Sequence, residues 1–167
     1  MPPAPKPTRA PKGKKKRQPK SRRQQVKARL VKLVADLVKW RDGYTCVQAE
    51  TDGGRCWGVP TDGHVIVRDE YGTTFDLLNN HCQCQGHNQW HRFHFIDYEN
   101  WFIGKFGNGA WIYLKDKARE CEGEKSFSTT DLEELAEELQ ALWDNRPAVH
   151  DFTTLCRLGY YGWLLKG

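Results

Sequence analysis

Four residues in the middle of this chain have the types and spacing of a metal-binding set. Cys84 and His87 stand three apart in Cys84-Gln85-Gly86-His87, as in a zinc knuckle, and Cys46 and Cys56 lie upstream to supply two more ligands. A closed Cys₃His tetrahedron suits structural Zn²⁺, because four protein ligands leave no open position for water. Two other readings stay open at this level: Cys82 replaces one of the cysteines, or all of them are reduced core thiols. Cys121 and Cys156 stand alone and read as buried thiols. In a chain expected to be intracellular, six cysteines point away from a disulfide framework.

Between the two ligand pairs runs Asp62-Gly63-His64. Hydrolysis of a phosphodiester needs a base to deprotonate water and a hard divalent cation at the scissile phosphate. A lone histidine on a short strand is by default structural. His64 rises above that reading because Asp62 precedes it and a segment rich in Asn and His follows. Asn79 and Asn80 have donors and acceptors to fix the loop carrying His64, and an imidazole acts as a base only in the right tautomer and orientation. Asn88, directly after the knuckle, offers a carboxamide oxygen to Mg²⁺ or Mn²⁺, which favour oxygen ligands. Arg68 and Arg92 are candidates for phosphate contact, since a guanidinium pairs well with phosphate oxygens. His91 and His94 lie among Trp90, Phe93 and Phe95, where packing competes with a metal or phosphate role.

The elements that must position these groups are partly legible. Val26, Leu30, Leu33, Val34, Leu37 and Val38 fall at helical spacing and predict an amphipathic helix from about Ser21 to Trp40. Its early turns carry Arg22, Arg23, Lys27 and Arg29, which could continue a basic arm onto DNA. Residues 42–61 read as an irregular ribbon, 64–68 as a short strand, 69–75 as a turn and 76–83 as a returning strand. The stretch 88–106 is dense in aromatics, and a helix through part of it would be largely buried. A second amphipathic helix is predicted over 131–145, with Thr130 and Glu133 as capping box, its acidic face in solvent, and Pro147 just past its end.

Composition bounds the partners. Of the 26 Lys and Arg, eleven fall within residues 1–27, which contain no acid; the rest of the chain holds 15 basic against 21 acidic residues. A basic arm on a mildly acidic body reads as a sequence-blind, salt-sensitive tail for nucleic acid. Solubilising or targeting is its plainer use. No stretch approaches the roughly 20 apolar residues of a membrane span, and the start is too basic and Pro-rich for a signal peptide. The expectation is a soluble, cytoplasmic protein: a disordered arm over 1–20, one domain over 21–147, and a segment over 148–167 that packs back or forms a homodimer contact.

The motif segment resembles the HNH (ββα-metal) endonuclease superfamily, most closely the phage lambda NinG/Rap recombination endonucleases. Gly63-His64 begins the pattern, and Phe75, Asn79, His81, Cys84, His87 and Asn88 occupy matching positions, with His87 in place of a cysteine. Arg41-Asp42 and Cys46 also fit. The likeness runs in order over about residues 22–145 and is motif-specific over about 41–92. It implies an α+β fold, a zinc-stapled ββα core flanked by helices. His64 would be the general base, Asn79 the residue holding the base-bearing loop, and Asn88 a catalytic-metal ligand. Cys46, Cys56, Cys84 and His87 would hold the structural zinc, and His81 a phosphate. The chain departs from the pattern in three places. Gly63 stands where many members have a metal ligand, for which Asp62 substitutes; Asn88 makes an HNN variant; and the first zinc pair is widely split. The implied partner is branched DNA, such as a Holliday junction or D-loop, in a bacterial host cell if the chain is phage-encoded. A non-catalytic zinc module binding nucleic acid is the competing class. A homing or toxin nuclease shares the chemistry but lacks supporting repeats or domains here.

Overall fold

The structure, a computed structural model, describes residues 19–50, 55–67, 72–120 and 127–146. The basic arm up to residue 18, Arg68, Cys121, Cys156 and the segment 148–167 lie outside the described residues. The fold is α+β: helix α1 (Arg22–Arg41), strands β1 (Pro60–His64) and β2 (Asn80–Cys84), then helices α2 (Gln85–Trp90), α3 (Phe95–Glu120) and α4 (Thr129–Asp144).

Helix α1 begins where Ser21 caps it. The Ser21 hydroxyl accepts from the Gln24 amide, and the Gln24 side chain accepts from the Ser21 amide, so two otherwise orphaned donors are satisfied. The predicted stripe is buried from Leu30 to Val38. The helix stops at Asp42, after which Gly43 and Tyr44 take positive φ and the Tyr44 amide returns to the Lys39 carbonyl, a left-handed termination. Helix α4 packs along α1, burying Leu132, Ala136, Leu139 and Leu142; each fully buried leucine contributes about 1.5–3 kcal/mol. Its capping box is Ser128 with Asp131, two residues before the predicted pair of Thr130 and Glu133. The shift adds about half a turn at the start of the helix. Phe102, Ala110 and Leu114 of α3 close the same core, and a non-helical Gly107 divides that helix into two stretches.

The hairpin differs from expectation in placement. β1 ends at His64, where the first strand was expected to begin, and pairs antiparallel with β2 so that His64 faces Asn80 and Pro60 faces Cys84. The β-rich residues Val65 and Ile66 leave the sheet because Asn79 takes their bonds. Its side-chain oxygen accepts from the Ile66 amide (2.7 Å), its side-chain amide donates to the Ile66 carbonyl (3.0 Å), and the Val65 amide donates to the Asn79 carbonyl (2.9 Å). The aromatic stretch also departs from prediction: Tyr98 and Phe102 are buried, but Phe93, Phe95 and Ile96 are exposed. Among the described residues, no helix is long and apolar enough to cross a membrane.

Candidate metal centre and adjoining groove

The ribbon before β1, the end of β2 and the first turn of α2 bring Cys46, Cys56, Cys84 and His87 together, with all four ligand atoms within 4.8 Å of one another. The sulfurs of Cys46 and Cys84 each lie 3.3 Å from His87 Nδ1, and that of Cys56 lies 3.5 Å away. One ring nitrogen carries at most one hydrogen, so three thiols cannot all bond to it. A tetrahedral ion with bonds of about 2.3 Å to sulfur and about 2.0 Å to nitrogen puts these atoms about 3.5 Å apart. The set therefore fits a metal such as zinc.

Local sequence explains why the ligands meet. Cys84 ends β2 and is also the N-cap of α2, its sulfur accepting from the His87 amide at 3.4 Å. Burial opposes ionisation of this thiol, but donation from the His87 and Trp57 backbones outweighs it and holds Cys84 below the usual thiol range. Partial desolvation and the neighbouring Cys84 and Cys46 push Cys56 up to about 12, a crowding that a cation would relieve. Gly86 is obligatory for closeness: a Cβ there would lie 2.1 Å from the Arg55 carbonyl oxygen and 2.5 Å from Trp57 Cδ1, the residues on either side of Cys56. Cys82 stays in the apolar core, where burial raises its thiol to about 12; it is not part of the cluster.

One face of the hairpin opens into a groove of about 250 Å³, lined by Asp62, His64, Val65, Val67, Asn88, His91, Arg92, Phe95 and Tyr98. Asn88 is drawn to it by donating to Thr61 Oγ1 (3.0 Å) and to the Asp62 carbonyl (3.4 Å). With its amide hydrogens so used, its carboxamide oxygen is the atom left to face a cation. Gly63 precedes His64 for a steric reason, because a Cβ there would fall 1.8 Å from Gln83 Oε1. That side chain is buried and bonded to Gln48 and His91, so it cannot easily yield. Tyr98 adds a bond from its hydroxyl to the Gly63 carbonyl.

Two predicted phosphate contacts, His81 and His91, are corrected. His81 is 1% exposed, boxed by Tyr98, Trp101, Phe102 and Phe106, and Arg41 donates to its Nδ1 at 2.9 Å. Burial and the Arg41 charge lower it to about 3, so this neutral ring is part of the core. His91 borders the groove but is buried, stacked on Tyr98, with each ring nitrogen against a glutamine amide, Gln48 or Gln83; desolvation and His87 lower it to about 4. Arg22 pairs with Glu133 of α4 at 2.6 and 2.8 Å while its side chain stays 80% exposed. Arg23 and Lys27 lie on the same first turns and are not among the groove-lining residues. Arg92 remains exposed at the groove, and His94 stacks on Trp90 with ring centroids 3.5 Å apart.

Sequence reasoning missed the buried hub that joins α1 to the hairpin. Arg41 donates to Asp42, to the Leu77 and Asn80 carbonyls and to His81, and Asp42 accepts from the Cys82 amide. Burial would raise the Asp42 carboxyl, but Arg41 prevails and lowers it. The sequence marks Arg41-Asp42 as fitting the family pattern but carries no local signal that the pair is buried or which groups it bonds. Thr61, Gln83 and Tyr98 were unmarked. Compared with known protein families, with curated proteins and with solved structures, the chain matches none.

Proposed function

We propose that this chain is a metal-dependent endonuclease of the HNH type, an HNN variant, that hydrolyses phosphodiester bonds in DNA, with branched recombination or replication intermediates as substrate. The observation that carries this reading is one groove lined by Asp62, His64, Asn88 and Arg92 beside a Cys₃His cluster. A non-catalytic zinc module has no need of an imidazole and a carboxamide in a shared cavity. The cluster is a closed set of four ligands, so a zinc held there would be structural and would pin Cys46 and Cys56 to α2.

Within the groove, His64 takes the proton from a water whose oxygen attacks phosphorus, and the bond from phosphorus to the leaving oxygen breaks in line. Asn79 holds His64 by locking the two residues that follow it. Asn88, with Asp62 directly or through water, is the place for Mg²⁺ or Mn²⁺, which would stabilise charge developing on the phosphate and leaving oxygen. Arg92 orients the phosphate, and the basic arm supplies salt-sensitive affinity.

The test incubates the chain with four-way junction, flap and linear duplex DNA in Mg²⁺, Mn²⁺ or chelator. His64→Ala is expected to lower cleavage by roughly 10²–10⁴-fold, the usual contribution of a general base, with zinc content and DNA affinity retained. Equal cutting by both proteins overturns His64 as base. Binding without cleavage on every DNA overturns the enzyme reading in favour of a binding module.

A further inference from the structure

The corner between α2 and α3 presents Arg92, Phe93, His94 and Phe95 in succession, all exposed. Phe93 is 83% and Phe95 63% exposed. Single apolar residues on a surface are ordinary. What sets Phe95 apart is its position: with Val67 it walls the groove that also holds Asp62, His64, Asn88 and Arg92. A phosphate and its cation gain nothing from a phenyl wall, whereas a nucleobase attached to that phosphate does.

We propose that Phe95, with Phe93 beside it, is a stacking face for an unpaired base next to the phosphate held at His64; this rests on the endonuclease reading and names how its substrate is chosen. Arg92 is next to Phe93 in the chain and faces the same groove, so a cation for the backbone and a ring for the base are adjacent, the pairing by which single strands are held. Every base has a π-face, so the contact is indifferent to sequence. Bases in a continuous duplex stack on one another and are withheld from the ring. Those at a junction, flap or mismatch are released at least cost. The selectivity is therefore for interrupted stacking.

The full-length chain, Phe95→Ala, the double variant Phe93→Ala/Phe95→Ala and Phe95→Trp are compared by titration against oligonucleotides carrying a fluorescent aminopurine at an unpaired position or within continuous duplex, without added Mg²⁺. Cleavage of the same DNAs is then measured with Mg²⁺. Both phenylalanines are exposed, so the variants are expected to fold and keep their zinc. Loss of one base–aromatic stack should weaken binding at the unpaired position by roughly 5- to 150-fold. The preference over duplex should collapse by a similar factor, and Phe95→Trp should restore both. If wild type quenches the unpaired base but cuts nothing, the endonuclease reading fails while the stacking face stands. If the alanine variants keep the wild-type preference, the proposal is overturned. Their conversion from dimer to monomer in light scattering, with DNA binding unchanged, would overturn it by assigning the patch to a second copy of the chain.

Discussion

At the scale of the residue, burial decides what each histidine can do. His64 is half-buried on the groove, whereas His81 is sealed behind aromatic rings with its Nδ1 held as an acceptor by Arg41. A buried guanidinium and a protonated imidazole cannot share that contact, so the folded chain keeps His81 neutral down to about pH 3, against 6.5 ordinarily. Between those values the unfolded chain binds a proton that the folded chain does not. Stability from this group is thus complete above pH 6.5 and falls as the pH drops. Wild type is expected to lose about 1 kcal/mol more than His81→Gln between pH 6.5 and 5.5, as read by urea unfolding at both pH values. Both proteins have the same Cys₃His ligand set, so any acid loss of a bound metal would cancel in the difference. Equal losses would show that His81 titrates normally.

At the scale of the element, the hairpin and α2 depend on two close approaches that only glycine permits. Gly63 admits the Gln83 amide, and Gly86 admits the ribbon that carries Cys56. Gly86→Ala must push Arg55 and Trp57 outward, taking Cys56 from the other three ligands. Overpacking of this kind costs about 1–3 kcal/mol, or a melting temperature lower by roughly 2–12 °C. Zinc per chain, measured by atomic absorption, is expected to fall with it. Gly104→Ala is the matched control: nothing lies within 4 Å of its added Cβ, and alanine favours a helix by about 1 kcal/mol. It should raise the melting temperature. If both substitutions stabilise, the ribbon is not held against α2.

At the scale of the whole molecule, two sources of cohesion serve different parts. α1, α4 and both stretches of α3 share an apolar core, and the hub at Arg41 and Asp42 bonds α1 to β2. Residues 46–50 are held to β2 and the end of α2 by Val47 donating to the Cys82 carbonyl and by Gln48 bonding to Gln83 and His91, whereas a metal at the cluster would join Cys46 and Cys56 to each other and to α2. Stripping zinc with a strong chelator is expected to abolish cleavage and the near-ultraviolet circular dichroism of Trp57 and Trp90. Most far-ultraviolet helical signal should persist, and re-added zinc should restore what was lost. Unfolding and activity indifferent to the chelator would remove the metal from the account.

The chain's own sequence determined those features that nearest neighbours decide. Apolar residues at a period of 3.6 produced α1 and α4, thiols and an imidazole marked the ligand quartet, and His64 between two ligand pairs marked the groove. Tertiary structure alone decided the rest. Asn79 ended β1 at His64 by capturing Ile66 across the loop, and Glu133 claimed Arg22 across 111 residues. Aromatic packing hid His81 but left Phe95 beside the groove. Each of these outcomes depends on which partner desolvates or bonds a side chain, and in each the partner lies on another element. Residue type and spacing carry no record of that.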